Sequence, residues 1–600
     1  MLFFALHRVS FLILYHRELM GISFSHIMLS FVYGLSLDIS ASCYLMVLPL
    51  LLFSAGMMLK KGQILFAIAN WVNYLLIILC LVINFIGLGL YASWGQKINS
   101  KAISFLIYPK EMKGIMFDWN NLLYFVGFLI FVIGTIFLYR KLIKPKQHVF
   151  LGYIRSSVFL VVFTFCLLIG ARGGFQRIPI NKSWSYYSKH CTLNFASVND
   201  FWNFFEIIVK PQMKHNPYNY MDKTVAQQTI SGLYKTAESS EYIAKTKRPN
   251  IVLVIMESMS ADAIACFGGE PGIAPKFDSL SKEGLIFTNY YATGYRTDQG
   301  MGAIICSFPA QPVTDVMNDF GKFDYLPNLI KTMDKNGYRT SYYFGGELDF
   351  AHTNTFLTVS GTDVIVGKQN VPHKRETDWG AYDEDVYAYQ LKEISREKQP
   401  FFSMIMTITN HEYFTADVEK IVPGNTELDR YHNTAHYADK CVYNYIQEAK
   451  THDWYNNTLF IITGDHAHPH PRERKYNEVL RHHIPLLICG GALKDEYRGK
   501  VIAKTGCQLD MAATILGQLG INSSEFKWSK NNLNKYSKGF AFYTFDNGFG
   551  FVTDSAEVVY DHNLKSTITS ISKYPGANPA KTLNEGKAML QMVFEQYVGM

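Results

Sequence analysis

Paired thiols are missing from this 600-residue chain: its nine cysteines are singletons, and no two form a CxxC pair. That excludes the redox and zinc motifs built on such spacing. Three of them (Cys43, Cys80, Cys166) fall in the most apolar stretch. The other six could pair only in an oxidising compartment, and mostly free thiols are expected. A strong charge of one sign is also missing. The net charge of +7 is small for this length and gives no footprint for nucleic acid. There is no internal repeat and no low-complexity tract. Long apolar runs are scarce beyond residue 175, which leaves the later part of the chain to fold in water.

Before that point such runs dominate. Residues 41–59, 64–91, 122–139 and 158–171 approach or reach the roughly 18 apolar residues that cross a bilayer. Residues 1–15 are shorter and contain Arg8; no small-residue cleavage site follows, which favours a first span over a signal segment. About five membrane helices are therefore expected in residues 1–172. Asp38, the one charged residue near a span, reads as interfacial. Lys60 and Lys61, and then Arg140, Lys141, Lys144, Lys146 and Arg155, mark cytoplasmic loops. The loop over 97–113 is mixed in sign and reads as external. This count leaves everything after residue 172 outside the cytoplasm. Residues 173–248 read as a connector, partly membrane-interfacial through the aromatics of 200–210, and residues 249–600 as a folded extracytoplasmic domain.

That last region alternates buried-strand runs (NIVLVIM, RTSYYF, FFSMIMTI, TLFIIT, IPLLIC) with helical stretches, the pattern of an α/β domain with a mostly parallel central sheet. Ligands in such domains sit beyond the carboxyl ends of the strands. Polar residues stand at those ends. Glu257 follows the first strand, Asp465 and His466 follow TLFIIT, and His411 follows FFSMIMTI. Thr297, in the glycine-flanked stretch ATGYRTDQGMGA, follows another apolar segment. Taken singly, each is more often a solvated end, a cap or a turn residue. Together they form an oxygen-rich set with one imidazole, suited to a divalent cation of the Mn²⁺, Zn²⁺ or Mg²⁺ type. A threonine hydroxyl needs such help to act as a nucleophile.

NIVLVIMES, APKFDSLSKEGLIFTNYY, the Thr297 turn and GDHAHPH resemble the sulfatase-like branch of the alkaline phosphatase superfamily. With spans in front, the whole chain resembles the lipoteichoic acid synthase family. The resemblance implies a phosphotransferase with one divalent metal ion, usually Mn²⁺, held by Glu257, Thr297, Asp465 and His466. It makes Thr297 the nucleophile and His411 a substrate-binding histidine. It also implies a phospholipid donor and a lipid or glycan acceptor. One stretch departs from the family. Its pocket tryptophan and arginine have no counterpart in GGELDFAHTNTF, where His352 and Asn354 are the nearest substitutes. Glu347 and Asp349 in that stretch would repel a second phosphate, so a single transfer rather than a polymer is expected. Phosphoethanolamine transfer is the nearest alternative. A sulfatase-like hydrolase lacks support, because the C/S-x-P-x-R run that matures a sulfatase nucleophile is absent. A non-catalytic envelope scaffold is the alternative from another class.

Overall fold

The computed structural model describes all residues except 95–96, 99–118, 143–148, 177, 189, 210–214, 238, 313, 399 and 546–547. The loop over 97–113 and the basic residues Lys144 and Lys146 lie largely or wholly outside the described residues. The chain divides into two compact units, Met1–Gln212 and Met213–Met600. The stretch read as a connector is shared between the units.

The first unit is helical. Its helices are α1 (Leu2–Leu14), α2 (Phe24–Met58), α3 (Gln63–Trp94), α4 (Trp119–Leu142), α5 (Gly152–Arg172), α6 (Cys191–Ser197) and α7 (Asp200–Val209). By length and composition α2, α3 and α5 can cross a membrane. They answer to three of the expected spans; α1 and α4 occupy the places of the other two. Asp38 is paired rather than free. It is buried, with Arg8 of α1 bound to it through both guanidinium nitrogens, at 3.0 and 3.2 Å, and Asn199 donating at 2.7 Å. Buried charges persist only when paired in this way. Next to them Asp200, opening α7, accepts from His7 at 2.7 Å and pairs with Lys97 at 2.9 Å. These contacts seat α7 on the helices of this unit, with Phe205, Ile208 and Val209 left exposed.

The second unit begins with α8 (Lys223–Tyr234) and is built on β1 (Asn250–Met256), β2 (Leu285–Phe287), β3 (Tyr290–Tyr291), β4 (Arg339–Phe344), β5 (Val364–Val366), β6 (Phe401–Met406), β7 (Thr458–Gly464), β8 (Leu486–Cys489), β9 (Val501–Ile502) and β10 (Gly506–Cys507). Eight of these form one sheet in the order β5-β4-β6-β1-β7-β8-β2-β9. Only β8 runs against its neighbours. The helices α9 (Pro275–Ser281), α10 (Thr297–Cys306), α11 (Leu329–Lys335), α12 (Thr353–Val359), α13 (Asp383–Ile394), α14 (Glu427–Ala449) and α15 (Met511–Leu519) lie between the strands in sequence. β1, β6 and β7 are buried at every position, as expected where both faces are covered. A second, antiparallel sheet follows: β11 (Phe540–Phe545), β12 (Gly548–Thr553), β13 (Ala556–Asp561) and β14 (Ser566–Ser572), with α16 (Pro579–Gly599) last. The eight cysteines whose side chains are described are free.

Candidate active site and metal centre

Strand register brings the two acids together. Met256 at the end of β1 stands opposite Gly464 at the end of β7, so Glu257 and Asp465 leave the sheet side by side. Thr297 opens α10, where unpaired N–H groups and the helix dipole favour an anion. Its Oγ1 donates to Asp465 Oδ2 at 2.9 Å and lies 3.4 Å from Glu257 Oε2. His466 Nε2 is 3.4 Å from Asp465 Oδ2 and 3.7 Å from Glu257 Oε1. One atom each from Glu257, Asp465 and His466 falls within 4.8 Å of the others, and all three residues are buried.

The surroundings fit a cation. His466 Nδ1 lies 3.0 Å from the Ala467 carbonyl, which places the ring proton there and turns the Nε2 lone pair to the cluster. Asp465 Oδ1 accepts from the Ser258 and His466 N–H groups, and Ser258 Oγ donates to Glu257 Oε1 at 2.8 Å. Each carboxylate therefore has one oxygen held by the protein and the other facing Thr297. Burial, and then the nearby Asp465, push the Glu257 carboxyl well above its usual range. Two buried carboxylates at this spacing favour protonation until a positive charge joins them.

Close approach makes the arrangement possible. A Cβ on Gly300 would stand 2.3 Å from the Asp465 carbonyl oxygen, so only glycine lets α10 press against the Asp465 turn. Gln508, fully buried, donates to the Gly464 and Asp465 carbonyls and accepts from the Thr293 N–H. It ties the two turns together from a segment the sequence reading did not use.

His411 stands beyond β6 with Nδ1 2.8 Å from the Glu412 carbonyl. Burial lowers its pKa, and the nearby His466 adds to the shift. Trp379 packs on it, with ring centroids 3.9 Å apart. A tryptophan thus meets His411, from a segment other than GGELDFAHTNTF. The Gly346–Gly380 bridge and the hydrogen bond from Ala381 N to Gly345 O lay that segment along GGELD. His352 packs against Phe320 at 4.7 Å. Ala351 and His352 both have positive φ, at 49° and 60°, a backbone state that costs non-glycine residues energy and gathers at ligand sites. The Asn354 N–H donates to the Leu348 carbonyl. Glu347 accepts from Gln369 at 2.8 Å with Lys368 3.8 Å away, and burial raises Asp349 to about 6.

Residues 249–521 match the Sulfatase family. Part of the chain is similar to lipoteichoic acid synthases. The lipoteichoic acid synthase of Staphylococcus aureus is 25% identical over 336 residues, 51% of this chain and 50% of that one. The chain thus spans about half the length of the curated relatives it matches. Among solved structures, an alkaline phosphatase superfamily protein from Vibrio parahaemolyticus is similar at TM-score 0.55 and 24% identity, over 63% of this chain and 97% of that one. The lipoteichoic acid synthase LtaP from Listeria monocytogenes is similar at TM-score 0.55 and 19% identity, over 63% and 98%. These likenesses show the fold.

Proposed function

We propose that this lipoteichoic acid synthase-like chain is a metal-dependent phosphotransferase of the membrane. It moves a phosphoglycerol-type head group from a phospholipid to an envelope acceptor through a phosphothreonine at Thr297. The observation that carries this reading is the Thr297 hydroxyl at a helix N-terminus, 2.9 Å from Asp465 Oδ2 inside the Glu257–Asp465–His466 set.

A divalent cation, Mn²⁺ foremost, would stabilise the deprotonated threonine and neutralise charge on a phosphoryl oxygen. Glu257, Asp465 and His466 would hold it together with Thr297. Asp465 orients the Thr297 hydroxyl toward the phosphorus. As the Thr297–phosphorus bond forms, the bond from phosphorus to the diacylglycerol oxygen breaks, and the proton given up by Thr297 passes through solvent to that oxygen. The acceptor hydroxyl then displaces Thr297 from phosphorus. Neutral His411, its Nδ1 proton engaged by Glu412, is suited to take the acceptor's proton at Nε2. Trp379 holds the imidazole in place.

The decisive experiment is mass spectrometry of the Thr297 peptide after full-length protein meets a mixture of phosphatidylglycerol and phosphatidylethanolamine. A phosphoglycerol adduct is expected in the wild type and none in Thr297→Ala, with turnover down on the order of 10⁴-fold. A phosphoethanolamine adduct would reassign the head group. Turnover above a tenth of wild type in the variant would remove Thr297 as nucleophile. Absence of bound metal would favour the scaffold reading. The catalytic unit lies outside the cytoplasm in this proposal, because the basic loops concentrate at Lys60–Lys61 and between Arg140 and Arg155. A reporter active only in the cytoplasm, fused after Met600, should be silent; strong signal would reverse the orientation.

A further inference from the structure

Four lysine and arginine side chains are buried among the described residues: Arg8, Lys97, Arg481 and Lys530. Three of them have an acid as partner, Asp38, Asp200 and Asp510 in turn. Arg481, in the turn ahead of β8 and only 3% exposed, has none. A guanidinium keeps its proton at any site, and a desolvated charge without an opposite one is costly. Its Nη1 donates to the Ala467 carbonyl, and its Nε is enclosed without a partner. Nη2 makes no hydrogen bond and, unlike Nε, is not enclosed.

The contacts of Arg481 set this open donor beside the metal centre. The Ala467 carbonyl that it grips also receives His466 Nδ1 at 3.0 Å. On the other side its guanidinium lies over Tyr476, 5.2 Å from the ring centroid. Tyr476 packs in turn on Tyr295 at 4.8 Å, two residues ahead of Thr297. Arg481 therefore stands between the turn of the metal ligands and the segment of the nucleophile. Arg296, next to Thr297, is exposed and likewise has no acid partner; it lies over the ring of Tyr295 at 5.5 Å. Glu412 is the acid whose charge reaches Arg481, yet it remains exposed and does not pair with it.

Two guanidinium groups without acids, beside a hydroxyl poised to attack, call for an anion. The planar fork of an arginine matches the oxygens of a phosphate, and an aromatic face behind the fork steadies it without neutralising it. We propose that Arg481 binds a phosphate oxygen of the substrate, with Arg296 as a second, outer cation. Binding of an oxyanion follows from the unpaired charge alone. That the oxyanion belongs to the phospholipid donor rests on the function proposed above.

The test melts the full-length, metal-loaded protein in a neutral detergent with and without inorganic phosphate. Phosphate should raise the melting temperature of the wild type. This needs no turnover, so failure of the catalytic reading leaves the result standing. Arg481→Met removes the charge and keeps most of the bulk. It should melt no lower than the wild type without phosphate, and its phosphate affinity should fall roughly 10- to 100-fold. Should that variant fail to fold, Arg481→Lys decides, with the charge kept, the fork lost and the affinity still lowered. Arg296→Ala, at an exposed position, should weaken phosphate about threefold with the melting temperature unchanged. An equal phosphate response in the wild type and the Arg481 variants would overturn the proposal. The KM for phosphatidylglycerol should rise at least about tenfold in Arg481→Met. An unchanged donor KM with the phosphate response lost would assign the site to free phosphate and overturn its role toward the substrate.

Discussion

At the scale of single residues, the site depends on groups that have little to do with the nucleophile itself. His468, two positions past His466, is one. Its Nδ1 accepts from the His470 N–H, and its Nε2 is buried without a hydrogen-bond partner, 3.7 Å from Glu412. Burial, against the weaker opposing pull of Glu412, holds its pKa down to about 4. The unfolded chain takes up that proton near the ordinary value of about 6.5. The unfolded state therefore binds more protons between those two values, and stability is full above about 6.5 and falls as pH drops toward 4. At about 1.4 kcal/mol per unit, the loss reaches about 3 kcal/mol at the acid end. His468→Gln should flatten this acid limb in melting-temperature scans from pH 7 to 4; identical limbs in the two proteins would assign the loss to other groups. Glu257, Thr297, Asp465, His466 and His411 could be singled out in the sequence as candidates because a strand end marks a polar residue. Trp379, Gln508 and Gly300 were not. Their roles arise from contacts between segments distant in sequence, and nothing in their local pattern sets them apart.

At the scale of elements, α10 and the Asp465 turn act as one part. Gly300→Ala forces a methyl to within 2.3 Å of the Asp465 carbonyl oxygen, so the helix must retreat and carry Thr297 with it. Activity should fall at least about a hundredfold, as expected of a displacement near 1 Å, and bound metal should fall with it, read by elemental analysis of the purified protein. Full metal content and near-normal turnover would mean that the helix is free to shift. The strand runs read from sequence coincide with β1, β4, β6, β7 and β8, since burial on both faces leaves unbroken apolar stretches. β2, β5 and β9 are too short, at two or three residues, to show a pattern. The β11–β14 sheet went unread, although the Asp546-Asn547-Gly548 triplet between two aromatic runs was a hairpin signal. The pairing of Asp38 with Arg8 went unread because an ion pair 30 residues apart leaves no local trace.

At the scale of the whole molecule, that pair links the first helix to the rest of the membrane unit. Removing one partner leaves the other charge buried and alone, a loss of roughly 3–5 kcal/mol. Arg8→Ala should therefore lower the amount of folded protein recovered from membranes, while Arg8→Leu combined with Asp38→Leu should restore most of it. Equal recovery for the single and double variants would show that the pair contributes no coupling.

The order of synthesis gives this contact a further meaning. Arg8 leaves the ribosome about 30 residues ahead of Asp38, and either charge entering the bilayer centre by itself costs about 2.5–3.5 kcal/mol. Partition of α1 alone is therefore disfavoured until α2 arrives with the opposite charge. Inserted together, the two helices would carry their charges already matched. On that route the bond that stabilises the fold would also couple the insertion of the two helices.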